Sequence, residues 1–153
     1  MASKSLSPRR APRVQAQFEA YAAVMKAAED LQRGLTEMLK SHDLSPSQYN
    51  VLRVLRGAGE AGLACREVGD RLIRHDPDIT RLIDRLEKRG LAQRVREKTD
   101  RRVVRTSITK AGLALLANLD APVDDLHGQQ LGHMTARKLL SLSKLLQEAT
   151  VRV

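Results

Sequence analysis

Apolar residues recur every three or four positions from residue 12 to residue 40, a period that is typical of one long amphipathic helix. The stripe runs from Val14 and Phe18 to Leu35 and Met38. At about 1.5 Å per residue, a helix of this length extends roughly 40 Å, more than a small compact domain needs. Because so long an apolar stripe has to be covered, the pattern predicts a partner helix from the same chain or from a second copy.

Capping residues divide the rest of the chain into shorter helices. Ser45, followed by a proline, precedes a helix that is predicted to end near Arg56. Thr109 and Thr135 are predicted to cap the last two helices. The first of these contains Pro122. Because proline removes a backbone hydrogen bond and clashes with the preceding turn, we expect one kinked helix there.

Two short helices are predicted over residues 65–73 and 76–90, and the second has two unlike faces. Asp76 is a good N-cap, Pro77 fits the first helical position, and Gly90 ends the helix as a residue that tolerates positive φ. The inward face is apolar, with Ile79, Leu82, Ile83 and Leu86. The outward face carries Arg81, Asp84 and Lys88, flanked by Thr80 and Arg85.

The hydrophobic period then changes to that of a hairpin. Residues 91–96 and 103–108 are β-rich runs with an arginine at nearly every second position, and residues 97–102 between them are too polar for a core. From residue 94 to residue 105 there are six basic residues against two acidic ones. A cationic helix followed by a cationic hairpin suits a DNA duplex, the helix in the major groove and the hairpin on the backbone or in the minor groove. The alternative is a solvated helix beside an ordinary hairpin.

Composition narrows the classes of partner. The chain has 153 residues, a net charge of +9 and a pI of about 10.3, which indicate one domain, with or without a dimerisation element, and a polyanionic partner. With one Phe, two Tyr and no Trp, the core has to be built from aliphatic side chains. The sequence contains no run of 18 apolar residues, so no membrane span is predicted, and no signal peptide is visible. A single cysteine fits a reducing, cytoplasmic setting.

Catalytic and metal-binding patterns are not found, so the sequence predicts no enzyme, no cofactor and no metal site. The four histidines lack ligand spacing, and no nucleophile elbow, phosphate loop or interpretable carboxylate pair is present. Cys65 opens the third predicted helix and allows two interpretations. It is either a half-buried structural residue or a thiol whose pKa is lowered by the helix dipole.

Three segments resemble the winged helix-turn-helix of the MarR family of bacterial transcriptional regulators. They are residues 80–91 (TRLIDRLEKRGL), 100–102 (DRR) and 108–112 (ITKAG), in the order and at the spacing of the family. The resemblance implies a mostly α fold with a small β-hairpin wing, in the order α-α-α-α-β-β-α-α. It also implies a short strand near Leu63 that pairs with the wing.

The same resemblance divides the chain by function. Residues 1–11 are expected to form a flexible basic tail, residues 12–42 and 110–153 a helical dimerisation region, and residues 43–109 the DNA-binding domain. The implied protein is a homodimer that binds a palindromic operator on double-stranded DNA, as a repressor that a small lipophilic or phenolic effector releases. Repressor and activator are not distinguished by sequence.

Site residues follow from matching positions. Arg81, Arg85 and Lys88 are predicted to contact bases from the recognition helix, and Thr80 a phosphate or a thymine methyl group. Arg102 is expected in the minor groove with Asp100 as its orienting partner. Phosphate or backbone contacts are expected from Lys98, Arg101, Arg74 and His75. An effector pocket is expected to involve Tyr21, Met25, Tyr49 and Arg53, although the apolar three also fit a plain core.

One departure from the family concerns the start of the recognition helix. Many members have a small polar residue there, whereas this chain has two carboxylates, Asp76 and Asp78. Asp76 is most simply a cap that favours the positive end of the helix dipole. Asp78 is expected either to accept from a cytosine N4 or to pair with Arg74. Two alternatives to the operator-binding regulator remain, a basic helical protein-interaction module and a nonspecific nucleoid-type DNA binder.

Overall fold

The computed structural model of the protein describes residues 11–73, 76–96 and 104–150. These residues form six α-helices and three short strands, which confirms the predicted mostly α fold with a small wing. The elements are α1 (Pro12–Lys40), α2 (Pro46–Ala58), β1 (Leu63–Ala64), α3 (Cys65–Arg71), α4 (Ile79–Lys88), β2 (Ala92–Arg96), β3 (Val104–Ile108), α5 (Lys110–Leu131) and α6 (Ala136–Ala149). A 3₁₀ turn, Gly59–Ala61, joins α2 to β1.

The wing is one antiparallel sheet with the strand order β1-β3-β2. Leu63 lies opposite Thr106, so the strand that the resemblance implied near Leu63 is confirmed. Thr106 is almost fully buried in the middle strand. Gly62 precedes β1 with a φ of +60°, and a Cβ there would lie 2.7 Å from the carbonyl oxygen of Thr106. Glycine at this position therefore allows β1 to approach β3 closely.

Aliphatic side chains from α2, α4 and α5 form the core. Leu52 and Leu55 of α2, Ile83 and Leu86 of α4, and Leu116 of α5 have no exposed surface. Burial of these large side chains is the main favourable term for the fold. It also fixes the rotation of α4, because the apolar stripe of that helix can face the core in only one way.

Side-chain caps set most of the helix starts, as predicted. The Oγ of Ser45 accepts from the backbone N of Gln48 at 3.1 Å, and the Gln48 side chain accepts from the Ser45 backbone N at 3.0 Å. The hydroxyl groups of Thr109 and Thr135 accept from the backbone N of Gly112 and Lys138, which caps α5 and α6 without the second bond of the pair at Ser45. Helix α5 continues through Pro122, so one helix is confirmed there, and its kink stays a prediction.

Three predicted boundaries were wrong. Helix α4 begins at Ile79 with Asp78 as its N-cap, whereas Asp76 accepts a hydrogen bond from the Asp78 backbone N at 2.9 Å in the turn before the helix. Helix α2 runs on through Gly57, and Gly59, at a φ of +64°, follows its last turn. Helix α3 ends at Arg71 because the next residue is already extended.

The first half of α1 and all of α6 are largely exposed. Residues 11–30 carry exposed side chains throughout, with 64% of Tyr21 and 54% of Met25 exposed, and only the later part of α1 is covered, by α2 and α5. No residue of α6 is buried, and 73% of Leu140 is exposed. The described part of the chain therefore leaves two apolar helix faces uncovered.

An ion pair joins α2 to α5 beside this core. Both terminal nitrogens of Arg56 donate to the carboxylate of Asp120 at 2.9–3.0 Å. The hydrogen bond from Arg56 lowers the pKa of Asp120, and the same bond raises the pKa of Arg56. The pair therefore fixes α2 to α5.

This ion pair predicts a pH-dependent part of the stability. A lowered pKa in the folded state means that the contribution is present above the ordinary pKa of aspartate, about 3.9, and is lost as the pH falls through the folded value. We expect the difference in free energy of unfolding between the protein and Asp120→Asn to shrink between about pH 6 and about pH 3.

Urea unfolding at a fixed protein concentration measures this difference. The matched control is Asp125→Asn, at an exposed position of the same helix with no ion pair among the described residues. A difference for Asp120→Asn that stays constant over the pH range would contradict the prediction.

Candidate nucleic-acid interface

The outward face of α4 gathers the cations that the sequence predicted. Arg81, Arg85 and Lys88 are spaced by four and three residues, so they lie on one side of the helix. All three are exposed, as is Thr80, whereas Leu82, Ile83 and Leu86 on the other side are buried. The hydroxyl oxygen of Thr80 lies 3.7 Å from the sulfur of Cys65, which places the start of α3 against the start of α4.

Strand β2 is tied to α4 by Arg94. Its Nη1 donates to Oδ1 of Asp84 at 2.5 Å and to Oε2 of Glu87 at 2.9 Å, and its backbone N donates to the other Glu87 oxygen at 3.1 Å. Its Nη2 lies 3.4 Å from the carbonyl oxygen of Thr80. Burial works against the charged form, but the bonds and charges of the two carboxylates outweigh it, and the pKa of Arg94 is raised.

The carboxylates near the outward face of α4 are thus paired with arginines of the same chain. Asp84 and Glu87 pair with Arg94, and Asp78 pairs with Arg81, whose Nε lies 3.1 Å from Oδ2. Among the described residues, Arg85 and Lys88 have no such partner. The outward face consequently offers positive charge that is not neutralised locally, which is the electrostatic requirement for binding phosphate.

Arg94 is a residue that the sequence analysis did not single out. The signal was available in the alternation of β2, because Arg94 stands two residues after the buried Ala92 and opposite the buried Thr106. A side chain at that position faces the core side of the sheet, where α4 lies. An arginine there needs an acidic partner, and Asp84 and Glu87 of α4 are carboxylates on that side of the sheet.

A second missed residue, Arg89, follows the last turn of α4. Its guanidinium donates to the carbonyl oxygens of Asp43 at 2.5 Å and of His42 at 3.1 Å. These carbonyls belong to the turn between α1 and α2, where Asp43 has a φ of +52°. The end of α4 is therefore fixed to the turn after α1 by two charge-assisted hydrogen bonds.

Six predicted DNA contacts lie outside the described residues. They are Arg74 and His75 before α4, and Lys98, Asp100, Arg101 and Arg102 between β2 and β3. The expected pairing of Asp78 with Arg74 falls outside them as well, and Asp78 pairs with Arg81. The wing arginines stay predictions.

The four residues predicted for an effector pocket fall into two pairs. Tyr49 is 5% exposed in the core, and the guanidinium carbon of Arg53 lies 5.8 Å from the centre of its ring. Burial raises the pKa of the Tyr49 phenol, and the charge of Arg53 opposes that shift. Tyr21 and Met25 lie on the exposed half of α1. Tyr49 has the burial of a core residue, and the pocket remains a prediction.

Within residues 11–73, 76–96 and 104–150, no three histidine, cysteine or acidic side chains are grouped as metal ligands. Over the same ranges, no helix is both long and apolar enough to cross a membrane. Cys65 is half-buried and carries a free thiol.

Known proteins resemble this chain in both sequence and fold. A MarR family model matches residues 42–103. A MarR transcription factor from Planctomyces limnophilus is 38% identical, with a TM-score of 0.67, 92% of this chain covered and 98% of that one. Escherichia coli MarR complexed with operator DNA is 27% identical, with a TM-score of 0.76, 84% of this chain covered and 91% of that one. The homoprotocatechuate degradative operon repressor of Escherichia coli is 27% identical over 126 residues, 82% of this chain and 84% of that protein.

Proposed function

This chain belongs to the MarR family of DNA-binding transcriptional regulators, and on that premise we propose that it is a homodimeric repressor of a palindromic operator. The observation that carries the proposal is the outward face of α4, where Arg81, Arg85 and Lys88 project while the neighbouring carboxylates are paired inside the protein. Such a face fits the major groove, where arginine and lysine bind guanine O6 and N7. Repression is suggested by the name of the Escherichia coli relative.

Dimerisation is supported by the uncovered apolar faces of α1 and α6. We assign residues 12–42 and 110–153 to the dimerisation region, residues 43–109 to the DNA-binding domain and residues 1–11 to a basic tail. The division is one of function, since Leu116 and Leu119 of α5 belong to the core that α2 and α4 share. A two-fold dimer presents two copies of α4, which requires two half-sites related by the same symmetry.

The remaining contacts of the proposed complex come from outside α4. The wing would place Arg102 in the minor groove with Asp100 beside it. Phosphate and backbone contacts are assigned to Lys98, Arg101, Arg74 and His75, and Thr80 is assigned to a phosphate or a thymine methyl group. We expect such a regulator to act in the cytoplasm.

Release from DNA is assigned to a small lipophilic or phenolic effector. Support comes from Tyr49 and Arg53 of α2, which place a cation at the edge of the apolar core, an environment that suits an aromatic anion. Tyr21 and Met25 complete the assignment from α1. An effector bound between α1 and α2 would act on α4 through Arg89, which bonds to the turn between those two helices.

Selection from a random duplex pool at near-physiological salt tests the proposed function. We expect an enriched inverted repeat with half-sites about one helical turn apart. Affinity for that duplex should fall steeply with salt, with a slope of about −0.9 per neutralised phosphate. Lys88→Ala should weaken binding and flatten the slope by roughly one unit.

The matched control is Lys26→Ala, which removes the same charge from the exposed part of α1 and should leave both quantities unchanged. Duplex retained without a motif would favour the nonspecific nucleoid-type binder. If no duplex is retained, the protein-interaction module becomes the better hypothesis.

A further inference from the structure

Asp78 holds Arg81 at two points. Its Oδ1 accepts from the backbone N of Arg81 at 3.3 Å, and its Oδ2 lies 3.1 Å from the side-chain Nε of the same residue. Arg81 remains 76% exposed and Asp78 48% exposed, so the pair lies on the surface where α4 begins. One carboxylate therefore caps the helix and fixes the root of an outward-facing guanidinium.

The backbone that carries Asp78 is itself held. Its N–H donates to Oδ1 of Asp76 at 2.9 Å in the turn before the helix. Hydrogen bonds thus link Asp76 to Asp78 and Asp78 to Arg81. The carboxylate that meets the guanidinium stands on a backbone with its own hydrogen-bond support, which limits the positions it can take.

The atom that Asp78 engages decides which donors stay available. A guanidinium has five N–H donors in one plane, one on Nε and two on each terminal nitrogen. With Nε directed at Asp78, the terminal pair Nη1 and Nη2 has no partner within residues 11–73, 76–96 and 104–150. That pair is a fork of two parallel donors, which matches the acceptors O6 and N7 on the major-groove edge of guanine.

The other arginines near this face are arranged differently. Both terminal nitrogens of Arg94 point to protein acceptors, so this side chain has no fork left for a base. Arg85 has no ion-pair partner among the described residues, so its orientation has to be fixed by the DNA itself, at a cost in side-chain entropy. Arg81 combines a free fork with an orientation that is set in advance.

We propose that Asp78 is a specificity-determining residue, which orients Arg81 so that its terminal nitrogens select guanine. The inference rests on the proposed function, because it requires α4 to enter the major groove. Asp78 also places a negative charge near the phosphates of any duplex. Removing the charge of Asp78 is therefore expected to lower the preference for the operator sequence. The affinity for unrelated DNA should stay the same or rise.

The test compares full-length variants on the duplex that the wild-type protein enriches, on each single-base substitution within its half-site, and on a scrambled duplex. Arg81→Ala identifies the base pair that Arg81 selects and should lose on the order of tenfold in preference for G·C there. Asp78→Asn should lose roughly threefold or more of the same preference. Asparagine is as good an N-cap as aspartate, so the start of α4 is retained.

Two controls separate orientation from capping and from charge. Asp78→Ser also keeps a capping side chain, removes the charge and should reproduce the result. Asp70→Asn removes an exposed carboxylate from α3 and should keep the full preference. Thermal unfolding at a fixed concentration confirms that each variant is folded.

The outcomes are distinct. A reduced preference at the base pair identified by Arg81→Ala, with equal or higher affinity for the scrambled duplex, supports the inference. An unchanged preference in both Asp78 variants overturns it, and so does an equal loss on both duplexes, which indicates a cap alone. Arg81→Ala without any loss of preference also overturns it. A wild-type protein that enriches no motif instead overturns the proposed function.

Discussion

Arg94→Ala is expected to lower DNA affinity about tenfold, equivalent to about 1.4 kcal/mol, in a protein that remains folded. The substitution removes one positive charge and leaves Asp84 and Glu87 without the guanidinium that pairs with them. Two uncompensated carboxylates then lie on the helix that faces phosphate. The free energy of unfolding should fall by only about 1 kcal/mol, because all three side chains are partly exposed and solvent screens the pairs.

A second substitution distinguishes the effect of the unpaired carboxylates from the simple loss of one positive charge. Asp84→Asn in the Arg94→Ala background should restore part of the affinity, because it removes one of the exposed carboxylates without adding a contact. The DNA affinity of Arg94→Lys should lie between those of the wild-type protein and Arg94→Ala. An ammonium keeps the charge but lacks the planar fork whose two nitrogens reach both carboxylates and the Thr80 carbonyl. Binding measured by fluorescence anisotropy on one operator duplex is sufficient. A double variant that binds no better than Arg94→Ala would contradict the account.

Gly112→Ala is expected to destabilise the protein by about 1–3 kcal/mol, as overpacking of a well-packed site does. Gly112 lies in the first turn of α5, and a Cβ there would collide with the carbonyl oxygen of Leu91 and lie 2.7 Å from Cγ1 of Ile108. The Leu91 carbonyl cannot move freely, because it accepts from the Thr109 backbone N at 3.1 Å. The start of α5 is thereby packed directly against Leu91, three residues after the end of the recognition helix.

The matched control is Gly128→Ala in the same helix. A Cβ at Gly128 has no atom within 4 Å, so alanine there should stabilise the protein by about 0.5–1 kcal/mol through its higher helix propensity. The two substitutions are chemically identical and are expected to act in opposite directions. Chemical unfolding at one protein concentration measures both. Equal effects at the two glycines would show that propensity, not the close approach at Gly112, determines the outcome.

Local features made most of the fold predictable from sequence. Ser45, Thr109 and Thr135 each cap a helix with an atom only three residues from its partner, so the information lies within one turn of chain. The predicted start of α4 at Asp76 is wrong because two aspartates lie there and both accept from a backbone N–H. Asp78 caps the helix, and Asp76 supports the turn before it.

The candidate site was predictable only in part, because some of its contacts join residues that are far apart in the sequence. The common face of Arg81, Arg85 and Lys88 follows from helical spacing alone. The bonds of Arg89 to the carbonyls of His42 and Asp43 join positions more than forty residues apart, and no local pattern indicates them. The partners of Arg94 are nearer along the chain, and the alternation of β2 indicates which side of the sheet this side chain faces, but the pairing itself depends on α4 packing there.

The sheet order has a consequence for how the chain folds during synthesis. Strand β3 lies in the centre of the wing but is the last of its three strands to leave the ribosome. Strand β1, only two residues long, has no strand to pair with until β3 has emerged, and α5 emerges later still with the side chains that close the core. The recognition helix therefore completes its packing only after residues beyond it in the chain have been synthesised, because β3 and α5 both contribute to the structure around it.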